Sequence, residues 1–218
     1  MHKINNFEQK YMEKSWNKET HQPYKTSDID DSIKDFCSFF KSKKNKGELL
    51  DLGCGNGKNT IFFQKNKFES TGVDFSKSAI KICKQTAKEL GINSSFNVGS
   101  VLNFDSKKQF DIIIDCGCLH HIRRSLWSDY KKTILKNLKV GGYYYLHGIS
   151  NSVENKRLPK HPNKRNWIIN KKGHYTTFFS KDDIFKLLGK KFKIIKTYDF
   201  KSRNSPLMVK AFYIQRIV

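Results

Sequence analysis

Three clusters of residues in this 218-residue chain have the types and spacing to do chemistry. The first is Asp51-Leu52-Gly53-Cys54-Gly55-Asn56-Gly57, directly after the apolar pair Leu49-Leu50. Glycines where a strand passes into a helix let the backbone come close to a ligand, and the helix beyond offers unbonded N–H groups and a positive dipole end. The G-x-G-x-G spacing is one residue shorter than the dinucleotide fingerprint. The Asp51 carboxylate just before it suits a ligand with a cationic amino-acid part rather than a pyrophosphate. The second cluster is Asp74-Phe75, closing the run Thr71-Gly72-Val73. In doubly wound sheets an acid at that point hydrogen-bonds ribose hydroxyls. Glycine loop, nearby carboxylate and ribose acid together describe an adenosine ligand without phosphates. The third is Asp115-Cys116-Gly117-Cys118-Leu119-His120-His121. Imidazoles titrate near neutral pH and can take a proton from a nucleophile. The Cys-x-Cys pair lacks zinc-knuckle spacing, and no metal is expected.

These clusters need a frame that gathers strand ends. The spacing of Ile33, Phe36 and Phe40 predicts a helix over 28–42, capped by Asp28 or Ser32. Apolar runs at 48–52, 69–74, 95–98, 110–115, 143–147, 193–200 and 209–215 read as seven strands. Helices are expected at 58–65, at 77–90 behind the cap Ser76, at 126–138 and at 180–188 behind Ser180. The second of these has the apolar face Ala79, Ile80, Cys83, Ala87 and Leu90, and Gly91 stops it. This alternation predicts an α/β fold, a doubly wound, mostly parallel, seven-stranded Rossmann-like sheet. The last two strands are too close in sequence for a crossover, so the final strand is expected to be antiparallel. Residues 1–46 read as an N-terminal helical cap and 47–218 as the main domain. Within it, 151–178 is an insertion with Pro159 and Pro162, a candidate substrate lid.

The motifs resemble those of class I S-adenosylmethionine-dependent methyltransferases over about residues 30–218. Asp51–Gly57 is similar to the family's first motif and Thr71–Asp74 to its ribose motif. Asn97-Val98-Gly99-Ser100-Val101-Leu102 is similar to the adenine-side segment, with Ser100 where the family often has an acid. Leu138–Tyr143 is similar to the Leu-x-x-Gly-Gly turn. The resemblance implies S-adenosylmethionine as cofactor, bound by Asp51, Gly53, Cys54, Gly55, Asn56, Gly57, Asp74, Phe75, Ser100, Val101 and Asp115. The segment Asp115–His121 looks like that of small-molecule methyltransferases acting on thiols, tellurite and related nucleophiles. This implies in-line methyl transfer to a small molecule, a thiol or other chalcogen favoured and O or N possible. His120 is the first candidate base and His121 the second. Cys118, His147, Trp167, His174 and Tyr175 are the substrate-side candidates.

Charge bears on the alternatives. The chain carries 42 Lys+Arg against 20 Asp+Glu, a net +22. Such a balance supports nucleic-acid binding. Only six of the basic residues are Arg, however, and Lys, Asn and Ile are abundant throughout, the pattern of an AT-rich coding bias. An RNA methyltransferase is therefore the alternative and not favoured. The chain has no Asn/Asp-Pro-Pro-aromatic motif and no Pro-Cys nucleophile. A cofactor-binding, non-enzymatic relative is the other alternative, and the intact glycine loop argues against it. No apolar run approaches a membrane span, the first residues lack an apolar leader, and five cysteines do not make a disulfide framework. A cytoplasmic protein with reduced thiols is expected.

Overall fold

A computed structural model describes residues 13, 28–44, 46–151, 167–169, 175–202 and 207–218. Its elements, in chain order, are α1 (Asp31–Lys41), β1 (Glu48–Leu52), α2 (Lys58–Lys65), β2 (Glu69–Asp74), α3 (Lys77–Glu89), β3 (Ser95–Val98) and β4 (Phe110–Cys116). They continue with α4 (Trp127–Asn137), β5 (Leu138–Ile149), β6 (Trp167–Ile169), β7 (Tyr175–Thr177), α5 (Lys181–Leu188), β8 (Phe192–Lys201) and β9 (Met208–Arg216).

Seven strands form one sheet in the order β3-β2-β1-β4-β5-β9-β8. The pairs β1–β2, β1–β4, β2–β3 and β4–β5 are parallel, while β9 runs antiparallel to both β5 and β8. The expected doubly wound sheet with an antiparallel last strand is therefore what the chain forms. Side chains alternate across each strand, so one strand feeds two cores. Ile113, Tyr144, Leu146 and Ile214 pack with Tyr130 and Ile134 of α4 and Ile184 and Leu188 of α5. Ile112, Ile114, Tyr145 and Tyr213 pack on the other face with Ile33, Phe36 and Phe40 of α1 and Phe62 and Phe63 of α2. Both faces are covered, which is why β4 reads as an unbroken apolar run.

Local signals explain the helix boundaries, with some corrections. Ser76 caps α3 by accepting from the Ala79 amide at 3.0 Å. Ser180 and Asp183 form a reciprocal capping box on α5. For α1 neither Asp28 nor Ser32 is the cap. Asp30 occupies that position without a capping bond, because its carboxylate accepts from Ser202 Oγ at 2.9 Å instead. Leu90 falls outside α3 and is 39% exposed, since the helix ends at Glu89. The insertion is not structureless: β6 and β7 pair antiparallel, Trp167 opposite Thr177. Its basic residues Lys156, Arg157, Lys160, Lys164, Arg165, Lys171 and Lys172, and both prolines, lie outside the described residues, as does most of the expected cap before residue 28. Among the described residues no helix is long and apolar enough to cross a membrane.

Candidate active site

A cavity of about 330 Å³ opens at the carboxyl ends of β1, β2 and β4, where doubly wound sheets bind ligands. Its floor is the glycine loop. The amides of Gly53 and Cys54 both donate to the Val73 carbonyl, at 2.8 and 3.0 Å, which ties the loop to β2. Gly53 has φ +71°, and a Cβ there would lie 2.6 Å from Cys118 Sγ, so only glycine lets the β1 and β4 loops meet. Gly55 and Asn56 line the cavity, whereas Gly57 does not. Gly57 is the N-cap of α2 at φ +77°, and a Cβ on it would meet Cys83 Sγ and Phe96 at 2.9 Å. Its expected ligand contact is replaced by a packing role.

Asp74 lines the cavity from the end of β2. One carboxylate oxygen accepts from the Gly55 amide at 3.0 Å and the other from the Ser76 amide at 2.9 Å. Burial nevertheless raises its pKa above the ordinary carboxylate value. Phe75, Ser100, Val101 and Leu102 form the adjoining wall.

Two acids expected at the ligand lie behind the floor instead. Asp51 is buried and does not line the cavity; its carboxylate accepts from Thr60 Oγ1 at 2.7 Å. Burial pushes its pKa up to about 7, against the Thr60 hydrogen bond. Asp115 is fully buried and accepts from the amides of Gly117, Cys118 and Leu119 at 3.1, 2.7 and 2.9 Å. It also accepts from Tyr130 Oη at 2.6 Å. These four donors fold the loop after β4 around one carboxylate, so Asp115 shapes the wall and does not face it. Burial raises its pKa to about 6.

Cys54, Cys116 and Cys118 line the cavity. The neighbouring Cys83 thiol, then burial, raises the pKa of Cys54, and burial with nearby Asp51 and Asp115 raises those of Cys116 and Cys118. All three are held as thiols, without the thiolate that a nucleophile needs. Among the described residues no group of three or more His, Cys, Asp or Glu is placed to hold a metal.

The two histidines of the β4 loop part company. His121 lines the cavity, and its Nδ1 lies 3.3 Å from the Tyr175 carbonyl of β7. A carbonyl only accepts, so Nδ1 carries the hydrogen and the lone pair of the neutral ring is on Nε2. His120, the first candidate from sequence, does not line the cavity. Its ring packs toward Phe179 with centroids 6.4 Å apart and crowds Gly148, where a Cβ would come within 3.1 Å of its Nδ1. The two residues share one 3-10 turn, Leu119–His121, and their rings meet edge to face with centroids 3.9 Å apart, His121 on the cavity side.

Of the substrate-side candidates, Cys118 and Tyr175 line the cavity. Trp167 does not; it lies against Tyr175 with ring centroids 5.5 Å apart. His147 is buried away from the cavity beside Tyr145 Oη at 3.2 Å, and burial lowers its pKa to about 4. His174 lies outside the described residues. The cavity also recruits Lys58, Ile122, Arg123 and Leu126, which the sequence reading did not single out, and Cys116, which it placed in the third cluster but not among the ligand-binding residues. Cys116 had a signal: it alternates with Asp115 at a strand end. Arg123 had only its closeness to the histidines.

Residues 49–142 match the family described as a methyltransferase domain. The domain is similar to the 2-heptyl-1-hydroxyquinolin-4(1H)-one methyltransferase of Mycobacteroides abscessus, 29% identical over 46% of this chain and 45% of that one. It is also similar to the probable S-adenosyl-L-methionine-dependent methyltransferase TehB of Haemophilus influenzae, 23% identical over 44% of this chain and 34% of that one. The match spans less than half the length of either curated relative. A structure solved for the conversion of a disulfide bond into a thioacetal group during echinomycin biosynthesis superposes with a TM-score of 0.73. It is 16% identical and covers 97% of this chain and 93% of that one, which shows a shared fold.

S-adenosyl-L-methionine is the cofactor named for the Haemophilus influenzae relative, and the cavity fits it. Asp74 supplies an acceptor for two hydroxyls, the glycine loop allows close approach, and Phe75 with Val101 and Leu102 supplies an apolar wall for a flat base. The departure at Ser100 has a structural counterpart: its Oγ accepts from the Leu102 amide at 3.2 Å and braces this wall.

Proposed function

We propose that the protein is an S-adenosylmethionine-dependent methyltransferase for small-molecule nucleophiles, with thiols or other chalcogenides favoured. The observation that carries this reading is His121, which stands on the same cavity as Asp74 and the glycine loop and has its basic nitrogen set by Tyr175. The cavity volume is at the lower end of those that hold small ligands. When bound, the cofactor supplies an activated methyl group on a sulfonium, so the chain needs to bind, orient and deprotonate. Asp74 and the glycine loop do the binding. Asp115 fixes the loop that carries Cys118 and His121. His121 Nε2 takes the acceptor's proton, and Ile122, Leu126 and Tyr175 keep water from the reacting side. The TehB relative is named as an S-adenosyl-L-methionine-dependent methyltransferase, which supports the cofactor. The quinolone methyltransferase is named for a hydroxyquinolone. The test is release of S-adenosylhomocysteine with a panel of small thiols, hydrogen sulfide, tellurite, selenite, phenols, amines and bulk RNA. Turnover of thiols or chalcogenides is expected; turnover of RNA alone would overturn the reading.

A further inference from the structure

The His121 side of the cavity is walled by two segments. One is the stretch Ile122–Leu126 after the β4 turn, and the other is β7, which carries Tyr175. Among the described residues β7 pairs only with β6, so no strand ladder sets the distance between the two. Inside the cavity they meet at Tyr175. His121 Nδ1 lies 3.3 Å from its carbonyl, and the Arg123 guanidinium lies 5.4 Å from its ring centroid.

The next residue, Arg124, does not line the cavity. Its Nη1 donates to Asp183 Oδ1 at 2.7 Å. The other oxygen of Asp183 accepts from the Ser180 amide and hydroxyl at 3.0 and 2.7 Å, which starts α5 directly after the segment that leaves β7. The Arg124 guanidinium also lies over Trp127, 4.8 Å from the ring centroid. Trp127 Nε1 donates to the Ile122 carbonyl at 3.0 Å, and its ring meets Phe179 edge on with centroids 5.9 Å apart. The Phe179 amide donates to the Ile149 carbonyl at 2.8 Å, which ties this assembly to β5. One guanidinium therefore fastens the wall stretch to the exit of the hairpin. The Arg124 side chain is only 35% exposed and that of Asp183 12%. A half-buried pair of this kind adds little to stability beyond what apolar side chains of similar volume would supply, so what it contributes is geometry.

Resting on the reading of His121 as the base, we infer that Arg124 is a positioning residue for methyl transfer. Its ion pair with Asp183 sets the distance between the turn after β4 and β7, and through Tyr175 it holds the His121 ring in the tautomer and direction that the reaction uses. A small displacement of a base costs rate steeply, because the reacting atoms must be aligned within hydrogen-bond reach.

The experiment follows Arg124→Gln and Asp183→Asn in the full chain. Asparagine keeps an oxygen for the Ser180 donors, so the cap on α5 survives. The first measurement is the nitrogen-15 NMR signature of the His121 ring at about pH 8, where an ordinary histidine is neutral. Its signals are assigned by their loss in His121→Asn. The unaltered protein is expected to show the Nδ1–H form, and both variants a mixture with the Nε2–H form. The same form in both variants, or a mixture in the unaltered protein, would overturn the inference. The second measurement compares 2-mercaptoethanol, which must lose a proton, with 4-nitrothiophenol, which is ionised at neutral pH. Each variant should lower kcat about tenfold for the first and less than about threefold for the second, and the double variant should be no slower than the slower single one. S-adenosylhomocysteine affinity should change less than about twofold, which also shows that each variant is folded. An equal loss for both thiols would make Arg124 merely structural, and an unchanged kcat would also overturn the inference. If neither thiol is methylated, the favoured acceptor class fails and the ring signature alone decides the role of Arg124. Failure of the unaltered protein to bind S-adenosylhomocysteine would sink the cofactor reading, and the inference with it.

Discussion

At the glycine-loop end of the cavity the ligand-facing groups are backbone amides and a single carboxylate, set on the ends of adjacent parallel strands. Elsewhere on its wall they are side chains of Lys58, His121, Arg123 and Tyr175, drawn from α2, the turn after β4 and the β6–β7 hairpin. The first end is fixed by the sheet itself. Gly53, Cys54 and Gly55 are bonded to Val73 and Asp74 of the neighbouring strand, so its geometry follows from strand register. The second depends on how three separate segments meet, and each of its side chains can change without disturbing a ladder hydrogen bond. A cofactor common to many enzymes suits the first kind of construction, and an acceptor particular to one enzyme suits the second.

The largest effect should come from the group that joins the two ends. Asp115→Ala leaves one buried amide, two half-buried amides and the buried Tyr130 hydroxyl without their acceptor, and each buried orphan costs about 1–3 kcal/mol. A loss of about 3 kcal/mol or more is expected by urea unfolding. A change under about 1 kcal/mol would mean that the loop holds itself and that the ends are independent. Asp74→Ala should then act on the glycine-loop end alone. Cofactor affinity is expected to fall about 100-fold by calorimetry, the worth of paired hydrogen bonds to a charged group. An unaltered affinity would remove Asp74 from the ribose contact.

His121→Asn should act on the other end alone. The asparagine amide can still donate to the Tyr175 carbonyl, so the wall stays in place while the base is lost. A fall in kcat of about 100-fold is expected, the low end for general-base catalysis, at unchanged cofactor affinity. His120→Asn should leave kcat within about threefold, because that ring faces Phe179 and Gly148. The reverse ranking would return the role to His120.

The same contrast explains what could be read from the sequence. The sheet, its order of elements and the position of Asp74 follow from period, cap and glycine signals that are local to each segment. Asp115 shows where such signals stop. An acid at a strand end either faces the ligand or turns back to collect amides, and only the path of the following residues, here a tight turn through Gly117 at φ +99°, decides. His120 and His121 are the same residue type in one 3-10 turn with touching rings, and only the fold decides which of the two lines the cavity. Tyr175 reaches the cavity through a hairpin of three-residue strands, too short for a period to show. Arg123 gains its meaning from Tyr175, more than fifty residues away in sequence.

The smallest effect is a dependence on pH that has opposite signs with and without cofactor. Burial raises Asp51 to about 7 and Asp115 to about 6. Without cofactor the folded chain therefore holds protons that the unfolded chain, with ordinary carboxylates near 4, has released. Between pH about 4 and 7 the unfolded state binds fewer protons than the native state, so these two groups lower stability as pH rises and level off above that window. Asp111, Asp183 and Glu48, whose pKa values are lowered by their cationic and backbone partners against burial, act oppositely but at lower pH. A bound cofactor presents positive charge to the glycine-loop end and favours ionised Asp51, so binding should release a proton and strengthen as pH rises. Cofactor affinity is expected to be up to about tenfold weaker at pH 6 than at pH 8, the span over which a group of pKa about 7 ionises. Asp51→Asn keeps an acceptor for Thr60 and should flatten that profile. A wild-type affinity that does not vary between pH 6 and 8 would place the cofactor's charge away from Asp51, and with it the division between an acidic floor and a basic wall.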